Sequence, residues 1–77
     1  MNETISLKLF ATLAKRMPPD AERYPIAPGT TVRDIVSRLE IREGEAKLIF
    51  VNNKRALLTS VLRDGDRLGI FPPVGGG

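Results

Sequence analysis

Thr30-Thr31-Val32-Arg33-Asp34-Ile35-Val36-Ser37-Arg38-Leu39-Glu40 carries the plainest periodicity in the chain. Val32, Ile35, Val36 and Leu39 recur at i, i+3, i+4 and i+7, which draws one apolar stripe along a helix. Thr31 is placed to act as N-cap, and Asp34 falls in the first turn, near the positive end of the helix dipole. The helix is expected to end near Glu40, ahead of the polar run Arg42-Glu43-Gly44-Glu45. A single stripe asks for a single sheet face to cover it, so the fold class that follows is α+β.

The sheet is read from the flanks. Upstream, Thr4-Ile5-Ser6-Leu7-Lys8-Leu9-Phe10 alternates, with Ile5, Leu7 and Leu9 on one face and Phe10 on the other, the pattern of a half-buried strand. Residues 11–17 can form a short helical turn, which Pro18-Pro19 stops. A second strand is expected around residues 21–26; Pro25 within it removes a ladder donor and assigns it to a sheet edge. Pro28-Gly29 is a turn. Downstream, residues 47–52 form a third strand, apolar on both faces. Asn52-Asn53-Lys54 is a tight turn, because asparagine tolerates the left-handed conformation. Residues 55–58 are expected to return as a fourth strand, and residues 59–63 to hold one helical turn carrying Val61 and Leu62. Asp64-Gly65-Asp66 turns the chain into a last strand at residues 67–71. The Asp64 and Asp66 pair is too poor in oxygen ligands to be read as a metal site.

Composition narrows the function. The chain has 77 residues, enough for one core and no second one. Its 42% hydrophobic and 27% charged residues are those of an ordinary globular domain. No apolar run nears the about 20 residues that a membrane span requires, and residues 1–4 do not resemble a signal peptide; a cytoplasmic location is expected. With no cysteine and no histidine, neither a thiol nucleophile nor the usual zinc ligands are available. The most versatile general base near neutral pH is missing as well. The chain is therefore expected not to be an enzyme on its own, and to bind no metal. The net charge of +3 comes from basic residues spread along the chain and interleaved with acids, and only three phenylalanines and one tyrosine are present. That disfavours nucleic acid, which calls for a basic stripe with stacking aromatics, and leaves room for an acidic protein partner.

The chain closes on Arg67-Leu68-Gly69-Ile70-Phe71-Pro72-Pro73-Val74-Gly75-Gly76-Gly77. The prolines end the strand, because they lack the N–H a ladder needs. Val74 is the last side chain of any size. Terminal glycines are commonly frayed chain, but here they follow a strand and a diproline directly. A stiff spacer carrying a thin tip is suited to entering a narrow site on another protein. The reading divides the chain into a domain over residues 1–71 and a flexible tail over residues 72–77, with a free α-carboxylate expected on Gly77 as the reactive group.

Taken together these residues resemble the sulfur-carrier family of ubiquitin-like β-grasp proteins, in both its branches: the molybdopterin synthase small subunit and the thiamine-pathway carrier. The resemblance spans essentially the whole chain. It rests on Leu9-Phe10-Ala11-Thr12-Leu13, Gly29-Thr30-Thr31-Val32, Phe50-Val51-Asn52, Leu62-Arg63-Asp64-Gly65-Asp66-Arg67-Leu68, and Phe71-Pro72-Pro73-Val74 followed by glycines. It implies a mixed sheet of about five strands packed on one main helix. The Phe-Pro-Pro ending favours the molybdopterin branch; the triple glycine, with Gly75 where that branch often has alanine, leans toward the thiamine one.

What the resemblance implies for function is a carrier. An adenylating enzyme similar to ubiquitin-activating enzymes would use MgATP to activate the Gly77 carboxylate. A sulfur donor such as a cysteine desulfurase or rhodanese would then convert it to a thiocarboxylate. The tip would deliver that sulfur inside the molybdopterin synthase large subunit, or to a thiazole synthase in the thiamine branch. No cofactor is expected to be bound by the chain, which is expected to be monomeric when free. Gly75 and Gly76 form the thin tail. Phe71, Pro72, Pro73, Val74 and Phe10 are the expected partner contacts, extended by one face of the third strand: either Ile49 with Val51, or Leu48 with Phe50. Two other classes share the same ending: a ubiquitin-like modifier joined to lysines of target proteins, and a binding module with an inert tail.

Overall fold

A computed structural model describes residues 3–73; Val74, Gly75, Gly76 and Gly77 lie outside the described residues. Five strands form one mixed sheet: β1 (Glu3–Leu9), β2 (Tyr24–Ile26), β3 (Leu48–Val51), β4 (Lys54–Arg55) and β5 (Arg67–Phe71), in the order β2-β1-β5-β3-β4. β1 and β5 run parallel at the centre, and the other pairings are antiparallel. The helix α1 (Val32–Arg38) provides the crossover that a parallel central pair demands.

Alternation decides which face α1 covers. Ile5, Leu7 and Leu9 of β1, Ile49 of β3, and Leu68 and Ile70 of β5 are buried, together with Val32, Ile35 and Val36 of the helix. Ile35 and Ile70 are wholly excluded from solvent. The expected stripe is thus the core-facing side of α1, with Leu39 partly buried at its end. Both halves of a capping box close the helix start. Thr31 Oγ1 accepts from the Asp34 N–H at 3.3 Å, and the Asp34 carboxylate accepts from the Thr31 N–H at 2.9 Å. The Asp34 carboxyl is held below the usual carboxylate range first by the backbone N–H of Thr31 and then by the Thr31 side chain.

Three sequence expectations change. Residues 59–63 form no helical turn. Instead the Val32 N–H donates to Ser60 O at 3.0 Å and the Arg33 N–H to Leu58 O at 2.9 Å. This loop spends its carbonyls on the orphan donors at the start of α1 and closes a turn in which the Ser60 N–H donates to Leu57 O at 3.0 Å; Leu62 is buried and Val61 is left exposed. The fourth strand is Lys54–Arg55 rather than residues 55–58: the Ala56 N–H still donates to Ile49 O at 2.9 Å, and beyond it the chain leaves the edge to reach the helix. The second strand begins only at Tyr24: residues Ala21–Arg23 form a 3₁₀ turn, and Pro25 sits on the sheet edge as expected. The polar run after the helix is also partly ordered, Glu43–Glu45 making a 3₁₀ turn whose Glu43 pairs with Arg33 at 3.3 Å. The short turn expected over residues 11–17 is a 3₁₀ helix at Ala11–Arg16 that buries Leu13.

Candidate functional site

The sheet face opposite α1 carries the expected contact residues. On β5 the alternation that buries Leu68 and Ile70 turns Arg67, Gly69 and Phe71 outward. The register then sets neighbours beside them. Lys8 of β1 and Phe50 of β3 flank Gly69, while Ser6 flanks Arg67 and Leu48 flanks Phe71. Of the two candidate faces of the third strand, Leu48 with Phe50 is the outward one, since Ile49 is buried and Val51 packs against the core.

Phe10 completes the group. It follows the last residue of β1, and its N–H still donates to Ile70 O at 3.1 Å, which carries the parallel pairing one residue further. Its ring stacks on that of Phe71 with centroids 4.0 Å apart and planes within 1°. The Phe50 ring meets Phe71 edge-on, at 5.8 Å and 82°. The edge-on arrangement suits the quadrupoles of the rings. Phe10 is 36% exposed, so the cluster is an apolar surface and not a second core. Immediately after Phe10 the chain takes a left-handed residue, Ala11 at φ 53°, which turns it away into the 3₁₀ helix.

The strand that leads to the tail is held in place by side-chain bonds. Asn52 and Asn53 both adopt positive φ, 53° and 69°, the two-residue turn that joins β3 and β4 with the proper twist. From there Asn52 Oδ1 accepts from the Arg67 N–H at 3.0 Å, and its Nδ2 donates to Asp66 Oδ1 at 2.9 Å. Asp66 Oδ2 accepts from the Arg63 N–H at 2.8 Å, and Asp64 Oδ1 from the Thr4 N–H at 2.8 Å. The acidic turn is therefore built to hold the start of β5 against β1 and β3. Among the described residues no His, Cys, Asp or Glu group of three or more is arranged to hold a metal ion.

Phe10 and Phe71 are thus brought together, and Pro72, half-buried, and Pro73, exposed, follow directly. Val74, Gly75, Gly76 and Gly77, the remaining expected site residues, are outside the described residues. Gly69 was not singled out from sequence, although a glycine in the middle of an apolar strand is a recognised sign of close approach by a ligand or another chain. Lys8 also becomes visible as a site residue only through the register.

This architecture, a mixed five-stranded sheet grasping one helix, defines a ubiquitin-like β-grasp protein. The ThiS family profile matches residues 7–77, and the chain belongs to that family of ubiquitin-like sulfur carriers and modifiers. No curated protein is similar enough to be matched. Among solved structures, small archaeal modifier protein 1 of Haloferax volcanii is 25% identical with a TM-score of 0.71, over 94% of this chain and 99% of that one. The Haloferax volcanii HVO 2177 protein is 26% identical with a TM-score of 0.76, over 99% of this chain and 88% of that one. A Pyrococcus furiosus protein with the provisional name molybdopterin converting factor, subunit 1 is 26% identical with a TM-score of 0.68, over 94% and 99%. No helix among the described residues is long and apolar enough to cross a membrane.

Proposed function

We propose that the protein is a sulfur carrier in molybdopterin synthesis, with no catalytic group of its own and with Gly77 as the residue that reacts. The observation that carries the reading is the outward Phe10–Phe71 stack, placed on the sheet face away from α1 and followed at once by Pro72 and Pro73. Exposed aromatics of this kind anchor interfaces, and their position lets one partner grip the sheet while the tail enters its site. Bare backbone at Gly75, Gly76 and Gly77 suits a tunnel that admits no side chain.

The chemistry runs through partners. An adenylating enzyme joins the Gly77 carboxylate to the α-phosphorus of ATP and releases pyrophosphate, which makes a poor electrophile into a good one. The terminal sulfur of a persulfide donor attacks the carbonyl and AMP leaves. A second thiol reduces the resulting acyl disulfide, and the thiocarboxylate remains. The synthase large subunit then accepts the tip and passes its sulfur to the pterin precursor. The chain itself binds neither ATP nor a metal in this scheme, and acts as a monomer in the cytoplasm. The name carried by the Pyrococcus furiosus relative favours the molybdopterin acceptor over a thiazole synthase.

The test is the intact mass of the protein after incubation with ATP, a sulfur donor and the adenylating enzyme of its host. A gain equal to oxygen-to-sulfur exchange, confined to Gly77 and lost when one residue is added after it, is the expected result. An unchanged mass with an enzyme active on another carrier would overturn the proposal. The likeness to small archaeal modifier protein 1 supports a second reading, in which activated Gly77 forms isopeptide bonds with lysines. Adducts in lysates that disappear with the extended variant would favour it, and their absence across growth conditions would count against it.

A further inference from the structure

Gly69 leaves a gap in the outer face. It lies between Lys8 and Phe50 in the ladder, and with no side chain to fill the row a cleft of about 370 Å³ opens above its backbone. The stacked rings of Phe10 and Phe71 form one wall and Phe50 another, while Lys8 and Arg67 stand on the rim. The Phe10 ring reaches to 3.5 Å from where a Cβ on Gly69 would stand, so the ring covers one side of the glycine.

The charges around the cleft have one sign. No Asp or Glu lines it. Asp66, next to Arg67 in sequence, has both oxygens engaged by Asn52 and the Arg63 N–H. Lys8 and Arg67 pair with no carboxylate among the described residues. Apolar walls beside unpaired cations concentrate a positive potential.

We propose that this cleft is the selective pocket of the docking face, and that it receives an apolar side chain from a partner segment whose flanking residues are Asp or Glu. The inference rests on the reading of the outer face as a docking surface. Gly69 stands three residues before Pro72, a distance of about 10 Å along an extended strand, so a partner that admits the tail also covers the cleft. An unfilled cleft would forfeit dispersion contacts along its lining. Lys8 and Arg67, once covered, need opposite charges, because a desolvated unpaired cation is strongly unfavourable. An apolar anchor with neighbouring carboxylates meets both demands. A small anion would answer only the cations and leave the ring walls bare.

The experiment is calorimetric titration of the full chain into the adenylating enzyme of its host, at about 50 and about 500 mM salt. Three variants are compared: Gly69→Leu, which fills the cleft; Lys8→Glu with Arg67→Glu, which reverses its rim; and Phe71→Ala, which tests the face itself. Thermal melts confirm that each is folded. The expected result is a loss of about tenfold or more for each of the first two, with a salt dependence in the native protein that the reversed rim abolishes. If Phe71→Ala weakens binding while the other two bind like the native chain, the face docks but the pocket proposal is wrong. If all three bind like the native chain, the docking reading falls and the pocket with it. Should Gly69→Leu fail to fold, Gly69→Ala replaces it, since its Cβ meets only Phe10 at an ordinary contact distance.

Discussion

Removing either ring of the Phe10–Phe71 stack should weaken the other. Phe10 is 36% exposed, so about two-thirds of its burial is realised, and truncation to alanine removes about 1–2 kcal/mol of transfer free energy. The stack, at 4.0 Å and 1°, adds about 0.5–1.5 kcal/mol beyond area. Phe10→Ala alone should therefore cost about 2–3 kcal/mol, with a similar loss for Phe71→Ala. The double variant should cost about 1 kcal/mol less than the sum, because the stacking energy can be lost only once. A domain of this size is stable by about 4–12 kcal/mol, so the single variants remain folded and measurable. Urea unfolding followed by circular dichroism gives all four corners of the cycle. In thermal melts the coupling corresponds to about 4–8 °C. A coupling within about 0.3 kcal/mol of zero would refute the claim that the rings act as one unit. The same variants separate stability from docking: Phe71→Ala, still folded, should bind the adenylating enzyme about tenfold more weakly or worse. Unchanged affinity would make the cluster a structural feature only.

Other perturbations probe the frame behind that surface. Ile35→Ala, at a fully buried position of α1, should cost about 2–5 kcal/mol, and a loss under 1 kcal/mol by urea unfolding would contradict the core assigned here. Asn52→Ala removes the side-chain bonds to Asp66 and to the Arg67 N–H and places alanine at positive φ. A loss of about 2–3 kcal/mol is expected, with faster hydrogen exchange at Arg67 as the specific sign. Ala11→Val should destabilise the domain by about 1–2 kcal/mol or more, because a β-branched residue resists the left-handed conformation, while Ala11→Gly should be neutral or slightly stabilising; equal melting temperatures for the two would exclude the strain argument. Asp34 has a carboxyl lowered by its bonds to Thr31, so its stabilisation is present above the unfolded-state pKa and is lost as pH falls through the lower folded value. Acid titration of stability should thus be shallower in Asp34→Ala than in the native chain. Parallel curves would show that the capping box does not contribute.

The helix and the strands that surround it were legible because each rests on a local rule. Val32, Ile35, Val36 and Leu39 declare a period near 3.6, Ile5, Leu7 and Leu9 a period of two, and Asn52-Asn53 the one two-residue turn in which both residues accept positive φ. Residues 59–63 were misjudged for a non-local reason. Their apolar pair fits a helical turn, but the Val32 and Arg33 N–H groups need acceptors, and only the fold reveals that Ser60 and Leu58 supply them. The fourth strand was overextended for the same cause, since past Ala56, whose N–H still donates to Ile49 O, the chain leaves the sheet to make that cap.

The candidate site divides along the same line. Alternation alone puts Phe71 on the face away from Leu68 and Ile70, while the reactive role of the glycine ending rests on residues outside the described ones. Which face of β3 joins Phe71, that Phe10 stacks on it, and that Gly69 opens a cleft between Lys8 and Phe50 all depend on strand order and register. A sequence determines the period of each segment, because that follows from bond geometry within a few residues. It does not determine which segments become neighbours, because pairing β1 with β5 across some sixty residues is selected by burial of the whole core. Only the assembled sheet could place the aromatic cluster and the cationic rim on one face.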